Sequence, residues 1–382
     1  MIDMLDLLVL FTELDGEYAI QVRSPDVGET PQPLPRVDHK DLVKIGQDLL
    51  EARKKNREEA RVASLGKELF SRLFQGANLS LYHKAQALSG ISSRPIRLLL
   101  AMASRSPLQF IPWELLHDGN GFLARDLRCA IVRYMEGENP VCAIALKPPV
   151  RILVTAACPK DIPKLNLESE IQGIYAAYEK HRRVTIFRYY DKTSLQDLRE
   201  LLHDAVLAGH PFHVWHHCGH GGPTDASKTG DYRLFLERNR RSEHVSIASI
   251  LGILRRCVDL RLVILNVCSG ASAAGLAPEL AQINVPSVVS FSSPIGDAEA
   301  RTFALALHHG LLTLPIEIAA DIARESICKP DLSTWQWSHL IHFSRRSDSG
   351  PLLEHSHRPP RKKPRIEKIY EDIIKECRKV SN

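Results

Sequence analysis

The amino-acid sequence predicts an α/β protein: a mainly parallel sheet preceded by an α+β N-terminal half. Three observations point there. After Pro149, apolar strand-like runs alternate with helical patterns, as a parallel sheet with crossover helices requires. Val150–Ala156 is nearly all apolar, the mark of a strand buried on both faces. Two further runs, His213-Val214-Trp215-His216-His217-Cys218-Gly219-His220-Gly221-Gly222 and Leu262-Val263-Ile264-Leu265-Asn266-Val267-Cys268-Ser269-Gly270, end abruptly in a reactive side chain beside glycine or serine. Parallel strands open their carboxyl ends onto a common crevice, so two such strands bring His220 and Cys268 to one place.

Taken in order, residues 1–35 alternate apolar and polar like a hairpin turned at Asp15-Gly16, closed by Pro31, Pro33 and Pro35. Residues 39–75 carry a helical period, with Leu42, Ile45, Leu49 and Leu50 on one face. Residues 95–101 and 127–134 read as strands, and Pro-rich punctuation around Glu138-Asn139-Pro140 and Lys147-Pro148-Pro149 marks a boundary. Beyond it we expect a helix over 167–180, a strand over 184–188, and a helix capped at Thr193-Ser194 and running to Leu207. The histidine strand follows at 212–218, a short excursion at 232–236, and a helix at 247–256. The cysteine strand comes next at 260–267, then a strand at 287–291 and helices at 298–310 and 316–328. A last strand is expected at 335–343. Residues 346–365 form a polar, Pro-rich linker. After it Ile366, Ile369, Tyr370, Ile373, Ile374 and Cys377 share one helical stripe. That helix has two readings, docking onto its own body or serving as a handle for a partner chain. The expected domains are 1–148, the N-terminal half; 149–345, the catalytic α/β domain; and 346–382, the basic linker and amphipathic helix.

Composition is ordinary for a globular chain of 382 residues, 44% hydrophobic and 25% charged. No apolar run is long enough for a spanning helix, and no membrane role is expected. Met1-Ile2-Asp3 lacks the basic start of a secretory signal. Eight cysteines are scattered without paired spacing, which reads as reduced thiols and a cytoplasmic location. Between Arg358 and Val380 there are nine Lys/Arg and four Asp/Glu, and the remainder carries 41 of each sign. Nucleic-acid binding is therefore expected only weakly and only through the basic tail.

These motifs resemble the CHAT-domain proteins, caspase-like peptidases of the clan that also holds caspases, separases and gingipains. Three places carry the resemblance. Phe110-Ile111-Pro112-Trp113-Glu114-Leu115-Leu116-His117-Asp118-Gly119, with Phe122-Leu123-Ala124, is similar to the family's "PWE-L-L" segment. His216-His217-Cys218-Gly219-His220-Gly221 is similar to its histidine strand end, and Leu265-Asn266-Val267-Cys268-Ser269-Gly270 to its cysteine strand end. They occur in the family's order, together spanning roughly 95–345. The resemblance implies a caspase-like sheet with helices on both faces and a cysteine endopeptidase acting on a protein substrate. It further implies a regulated effector of the bacterial defence or cell-death type, including antiviral defence. Family members often carry tetratricopeptide repeats or a sensor domain; this chain shows neither in recognisable form, so an activating or sensor protein is expected to be a separate partner. A catalytically silent scaffold docking through the C-terminal helix is the alternative.

The chemistry assigns roles. A thiol attacks as thiolate, so Cys268 needs a base, and His220 supplies one. The N–H groups of Cys268 and Gly221 form the expected oxyanion hole. Asp297, just past a strand end, reads either as an N-cap for the following helix or, as the resemblance to separases implies, as a pocket residue pairing with a basic side chain before the scissile bond. His216 and Asp225 are tentative pocket residues, while Trp113-Glu114 reads as structural. Zinc favours His and Cys, but no second Cys or His pair stands at finger spacing, so neither a metal nor another cofactor is expected.

Overall fold

The computed structural model describes residues 2–55, 58–103, 106–135, 145–179, 181, 185–223, 232–272, 275–283, 285–328, 334–346, 350–353 and 366–381; in the last helix it describes side chains for 368–375. Two compact units share the chain. One holds residues 2–136 and 328–339, the other residues 137–327 and 340–382.

The first unit begins with β1 (Leu5–Leu14) and β2 (Glu17–Ser24), an antiparallel hairpin. Its turn residues Asp15 and Gly16 both take left-handed conformations (φ 51° and 84°), the backbone that an Asp-Gly pair tolerates best. Short strands β3 (Gly28–Glu29) and β4 (Arg36–Asp38) pair with β2. Helix α1 (His39–Lys54) starts at Asp38, whose carboxylate accepts the Lys40 N–H, and buries Leu42, Ile45 and Leu49. Helices α2 (Glu59–Leu73) and α3 (Ala77–Ser92) follow. Strand β5 (Ile96–Ala101) runs parallel to β1 on one side and to β6 (Cys129–Tyr134) on the other. Buried on β5, Arg97 is held by two hydrogen bonds to the Asp6 carboxylate, 2.8 and 2.7 Å.

The Trp113-Glu114 segment belongs to this unit. Trp113 is fully buried and its indole N–H donates to the Leu108 carbonyl at 2.9 Å. Glu114 pairs with Arg133 of β6 at 3.0 Å, both side chains almost wholly buried, and Arg133 also donates to the carbonyls of Gln109 and Ile111. The returning segment packs Trp335 and Trp337 on Phe122, with ring centroids 5.7 and 5.5 Å away.

The second unit alternates strand and helix. Its elements are β7 (Val150–Ala156), α4 (Leu167–Glu179), β8 (Thr185–Tyr190), α5 (Leu195–Leu207), β9 (Val214–Cys218), β10 (His220–Pro223), β11 (Tyr232–Arg238), β12 (Arg241–Ser246), α6 (Ile247–Leu254), β13 (Leu262–Asn266), α7 (Leu276–Gln282), β14 (Ser287–Phe291), α8 (Asp297–Gly310), α9 (Ile316–Ser326), β15 (Leu340–Ser344) and α10 (Ile366–Ser381). The main sheet of this unit runs β15-β14-β13-β9-β7-β8, parallel apart from β15 against β14. An α/β fold with a mostly parallel sheet is thus observed. Strand β7 is buried along nearly its whole length, as its apolar run requires. Ser194 caps α5 in a capping box with Asp197.

Two differences from the sequence expectation stand out. Residues 220–246 are more than an excursion: β10, β11 and β12 form a separate antiparallel sheet. The stretch 335–343 divides into a short 3-10 helix at Gln336–His339 and then β15, because the Ser338 N–H and hydroxyl both turn back onto the Trp335 carbonyl. Of the two readings of the C-terminal helix, docking onto its own body is the one observed: α10 packs on α8 of its own unit, with Ile373 buried. No helix among the described residues is long and apolar enough to cross a membrane. The basic run Arg358–Arg365 lies outside the described residues.

Candidate active site

The two central strands set the geometry. In the β9–β13 ladder Ile264 stands opposite His216 and Asn266 opposite Cys218, so both strands end at the same level. The Gly219 N–H donates to the Asn266 carbonyl at 3.3 Å, and the Ala157 N–H to the Cys218 carbonyl at 3.0 Å. From that common edge, β9 leads through Gly219 into His220, and β13 through Val267 into Cys268. A side chain at position 219 would meet the His217 ring at 2.9 Å and the Ala157 carbonyl at 3.3 Å, so only glycine lets β9 leave the sheet here.

Around Cys268 the chain turns sharply. Ser269 adopts φ 56°, an unusual backbone for a residue with a side chain, of the kind that gathers at functional turns. The Tyr232 hydroxyl donates to the Cys268 carbonyl at 3.2 Å. A Cβ built on Gly221 lies 3.4 Å from that same carbonyl and overlaps the Tyr232 hydroxyl. Gly221, Tyr232 and Cys268 therefore form one packed group, which brings the histidine loop against the cysteine loop.

The electrostatics are those of a resting site. Burial pushes the Cys268 thiol above its ordinary range, opposed by a hydrogen bond from the Ile295 backbone. His220 is half-buried, and its Nε2–H donates to the Pro163 carbonyl at 2.7 Å. Pro163 lies in the β7–α4 loop, which the small sheet grips. The Ser242 N–H and hydroxyl both donate to Asp161 at 2.8 Å, and the Lys160 N–H donates to the Arg240 carbonyl at 2.9 Å.

The tentative pocket residues fall in different places. Asp297 is exposed and is the first residue of α8, not its cap; Gly296 takes the cap position without a side-chain bond. The Asp297 carboxylate accepts the Asn166 N–H at 3.2 Å instead, tying α8 to the far end of the Pro163 loop. His216 has no exposed surface, so it cannot line a pocket. It sits on the inward face of β9 with Cys218, whereas His217 on the opposite face bonds the Thr155 hydroxyl at 2.9 Å. Asp225 lies outside the described residues.

Glu170, on α4, is the participant that the sequence reading missed. Its Oε1 accepts from the Asn266 amide at 2.6 Å and from the Cys218 thiol at 3.1 Å, and lies 3.7 Å from His216 Nε2. Burial raises its carboxyl to about 7. His216 Nδ1 meets His308 Nε2 at 2.6 Å, and His308 Nδ1 meets the Tyr178 hydroxyl at 2.6 Å. One acid among several on an amphipathic helix gives no sign of this; its partners lie 46 to 96 residues further along the chain.

Residues 64–345 match the CHAT domain, and the chain belongs to that family. Among solved structures it is similar to the separase–securin complex of Saccharomyces cerevisiae, at 12% identity and a TM-score of 0.46, covering 89% of this chain and 30% of that one. The Drosophila initiator caspase Dronc is also similar, at 9% identity and a TM-score of 0.34, covering 51% of this chain and 83% of that one. The chain thus spans less than a third of the length of the yeast chain it matches. No curated protein matches the sequence.

Proposed function

We propose that this CHAT-domain chain is a cysteine endopeptidase that cleaves a specific protein partner, with Cys268 as nucleophile and His220 as base. The observation carrying this reading is the pairing of β9 with β13: adjacent parallel strands, in register, each followed within two residues by one member of the dyad. His220 takes the thiol proton, and the thiolate attacks the scissile carbonyl carbon. The N–H groups of Cys268 and Gly221 stabilise the oxyanion. His220 then protonates the leaving amine, and water releases the acyl group from sulfur.

The Pro163 carbonyl holds the hydrogen on His220 Nε2, which orients the ring and leaves Nδ1 as the nitrogen that takes the thiol proton. Burial pushes the Cys268 thiol up, so it rests protonated until substrate or a partner lowers the cost of ionising it. This favours an enzyme that waits for an activating or sensor protein, in keeping with a regulated cytoplasmic effector of the defence or cell-death type. The same observation supports a second reading, a silent scaffold. Asp297, exposed beside that loop, is the residue through which a basic P1 side chain would be selected.

The test compares wild type with Cys268→Ala on fluorogenic peptides varied at P1, with and without candidate partner proteins. Cleavage lost in the variant supports the peptidase, and a basic P1 preference supports the role of Asp297. No cleavage under any condition, with no adduct at Cys268 from a peptide electrophile, leaves the scaffold.

A further inference from the structure

The geometry points to a buried divalent-metal site, suited to zinc, formed by Glu170, His216 and Cys218 beneath the dyad. One oxygen, one nitrogen and one sulfur, all buried, come within 4.8 Å of one another, and no other described group of His, Cys, Asp and Glu does this. The Glu170 oxygen lies 3.1 Å from the Cys218 sulfur and 3.7 Å from His216 Nε2. Zinc bonds of about 2.0–2.3 Å at tetrahedral angles set ligand atoms roughly 3.3–3.8 Å apart. Small side-chain movements therefore close the set around an ion.

A second observation comes from the histidine. His216 Nε2 is fully buried, aimed into the cluster, and has no hydrogen-bond partner, which is costly for a polar atom. Its other nitrogen is anchored: Nδ1 can donate to His308 Nε2 while His308 Nδ1 donates to the Tyr178 oxygen, each at 2.6 Å. That arrangement leaves a bare lone pair on His216 Nε2 facing a carboxylate oxygen. Two electron-rich atoms turned toward each other call for a cation between them. An outer partner holding the far nitrogen of a histidine is also how proteins orient metal ligands.

Charge agrees with geometry. A dication bound by a thiolate, a carboxylate and a neutral imidazole leaves a neutral cluster, the state that a buried position favours. The fourth position is left to a water or to the second Glu170 oxygen. Such an ion ties β9, which leads into His220, to α4, which follows the loop that holds His220. Its place is structural: neither His220 nor Cys268 belongs to the set.

Cobalt titration of the purified full-length protein tests this independently of peptidase activity. We expect one cobalt per chain, with a thiolate-to-cobalt charge-transfer band, displaced by one equivalent of zinc. Cys268→Ala should keep the band, Cys218→Ser should lose it, and His308→Gln should weaken cobalt binding by about 10–100-fold through the lost outer partner. No band in the wild-type protein overturns the proposal, whatever the variants do. A band kept in Cys218→Ser and lost in Cys268→Ala also overturns it, because the metal would then sit on the dyad.

Discussion

Gly221 and Tyr232 should be energetically coupled, and the size of the coupling follows from the atoms around Cys268. Alanine at position 221 puts its Cβ into the Tyr232 hydroxyl, 2.8 Å from the ring Cζ and 3.4 Å from the Cys268 carbonyl. Gly221 does not have a positive φ, so the cost is steric, not backbone strain. Tyr232 is buried, so its ring moves only by disturbing its neighbours; overpacking of this kind costs about 1–3 kcal/mol. Part of that cost is the 3.2 Å bond from the hydroxyl to the Cys268 carbonyl, worth about 1 kcal/mol. Tyr232→Phe alone removes the same bond. In the double variant the bond is lost once, and the oxygen overlap is gone. The two changes together should therefore cost at least about 1 kcal/mol less than the sum of the singles. Urea denaturation of wild type, both singles and the double, analysed as a cycle, gives the number. Additivity within about 0.3 kcal/mol would refute the view that these three residues pack as one unit.

Other predictions address the loop, the buried ion pair and the pH profile. Asp161→Ala releases the grip of Ser242 on the β7–α4 loop whose Pro163 carbonyl orients His220, and should lower the rate of electrophile labelling at Cys268 severalfold; an unchanged rate, measured by mass spectrometry, removes the loop from the positioning of the base. Glu114→Gln leaves Arg133 buried without its counter-charge and should destabilise the chain by about 3–5 kcal/mol in urea, whereas Glu114→Leu with Arg133→Met should recover most of that loss. Burial, with Arg151 and Arg261 nearby and only Asp259 opposing, lowers His213 from 6.5 to about 4, and its Nδ1 accepts the Arg151 N–H at 3.0 Å. The folded chain then binds fewer protons than the unfolded chain between those values. Stability from this group is full above pH about 6.5 and falls as pH drops toward 4. His213→Gln should flatten that acid limb by on the order of 2 kcal/mol relative to wild type, read from denaturation midpoints across the range.

Where the sequence is legible, burial and period coincide. Strands β7, β13 and β14 are short, mainly apolar runs because a parallel strand must be buried on both faces, and β9 is buried throughout although it carries two histidines. Helix α3 is silent because its inward face includes Asn78 and Ser89 beside Leu81, Tyr82 and Ala85. Asn78 satisfies itself there on the carbonyls of Ile20 and Leu73, so no apolar stripe is needed. Strand β10 is hidden because His-Gly-Gly-Pro reads as a loop; its pairing to β11 is a tertiary event. Of the candidate site, His220 and Cys268 are visible as strand ends, while Glu170, Tyr232 and His308 are not. Each of these is an ordinary residue of its own helix or strand until the sheet assembles, and no local spacing encodes a neighbour dozens of residues away.

The return of residues 328–339 to the first unit sets a timetable for synthesis. Trp335 and Trp337, which cover Phe122, are translated only after most of the second unit has emerged. At about 5–20 residues per second, the first unit waits roughly 10–40 seconds with an aromatic surface uncovered. Any stop that ends translation before residue 339 leaves the N-terminal unit without these two indoles.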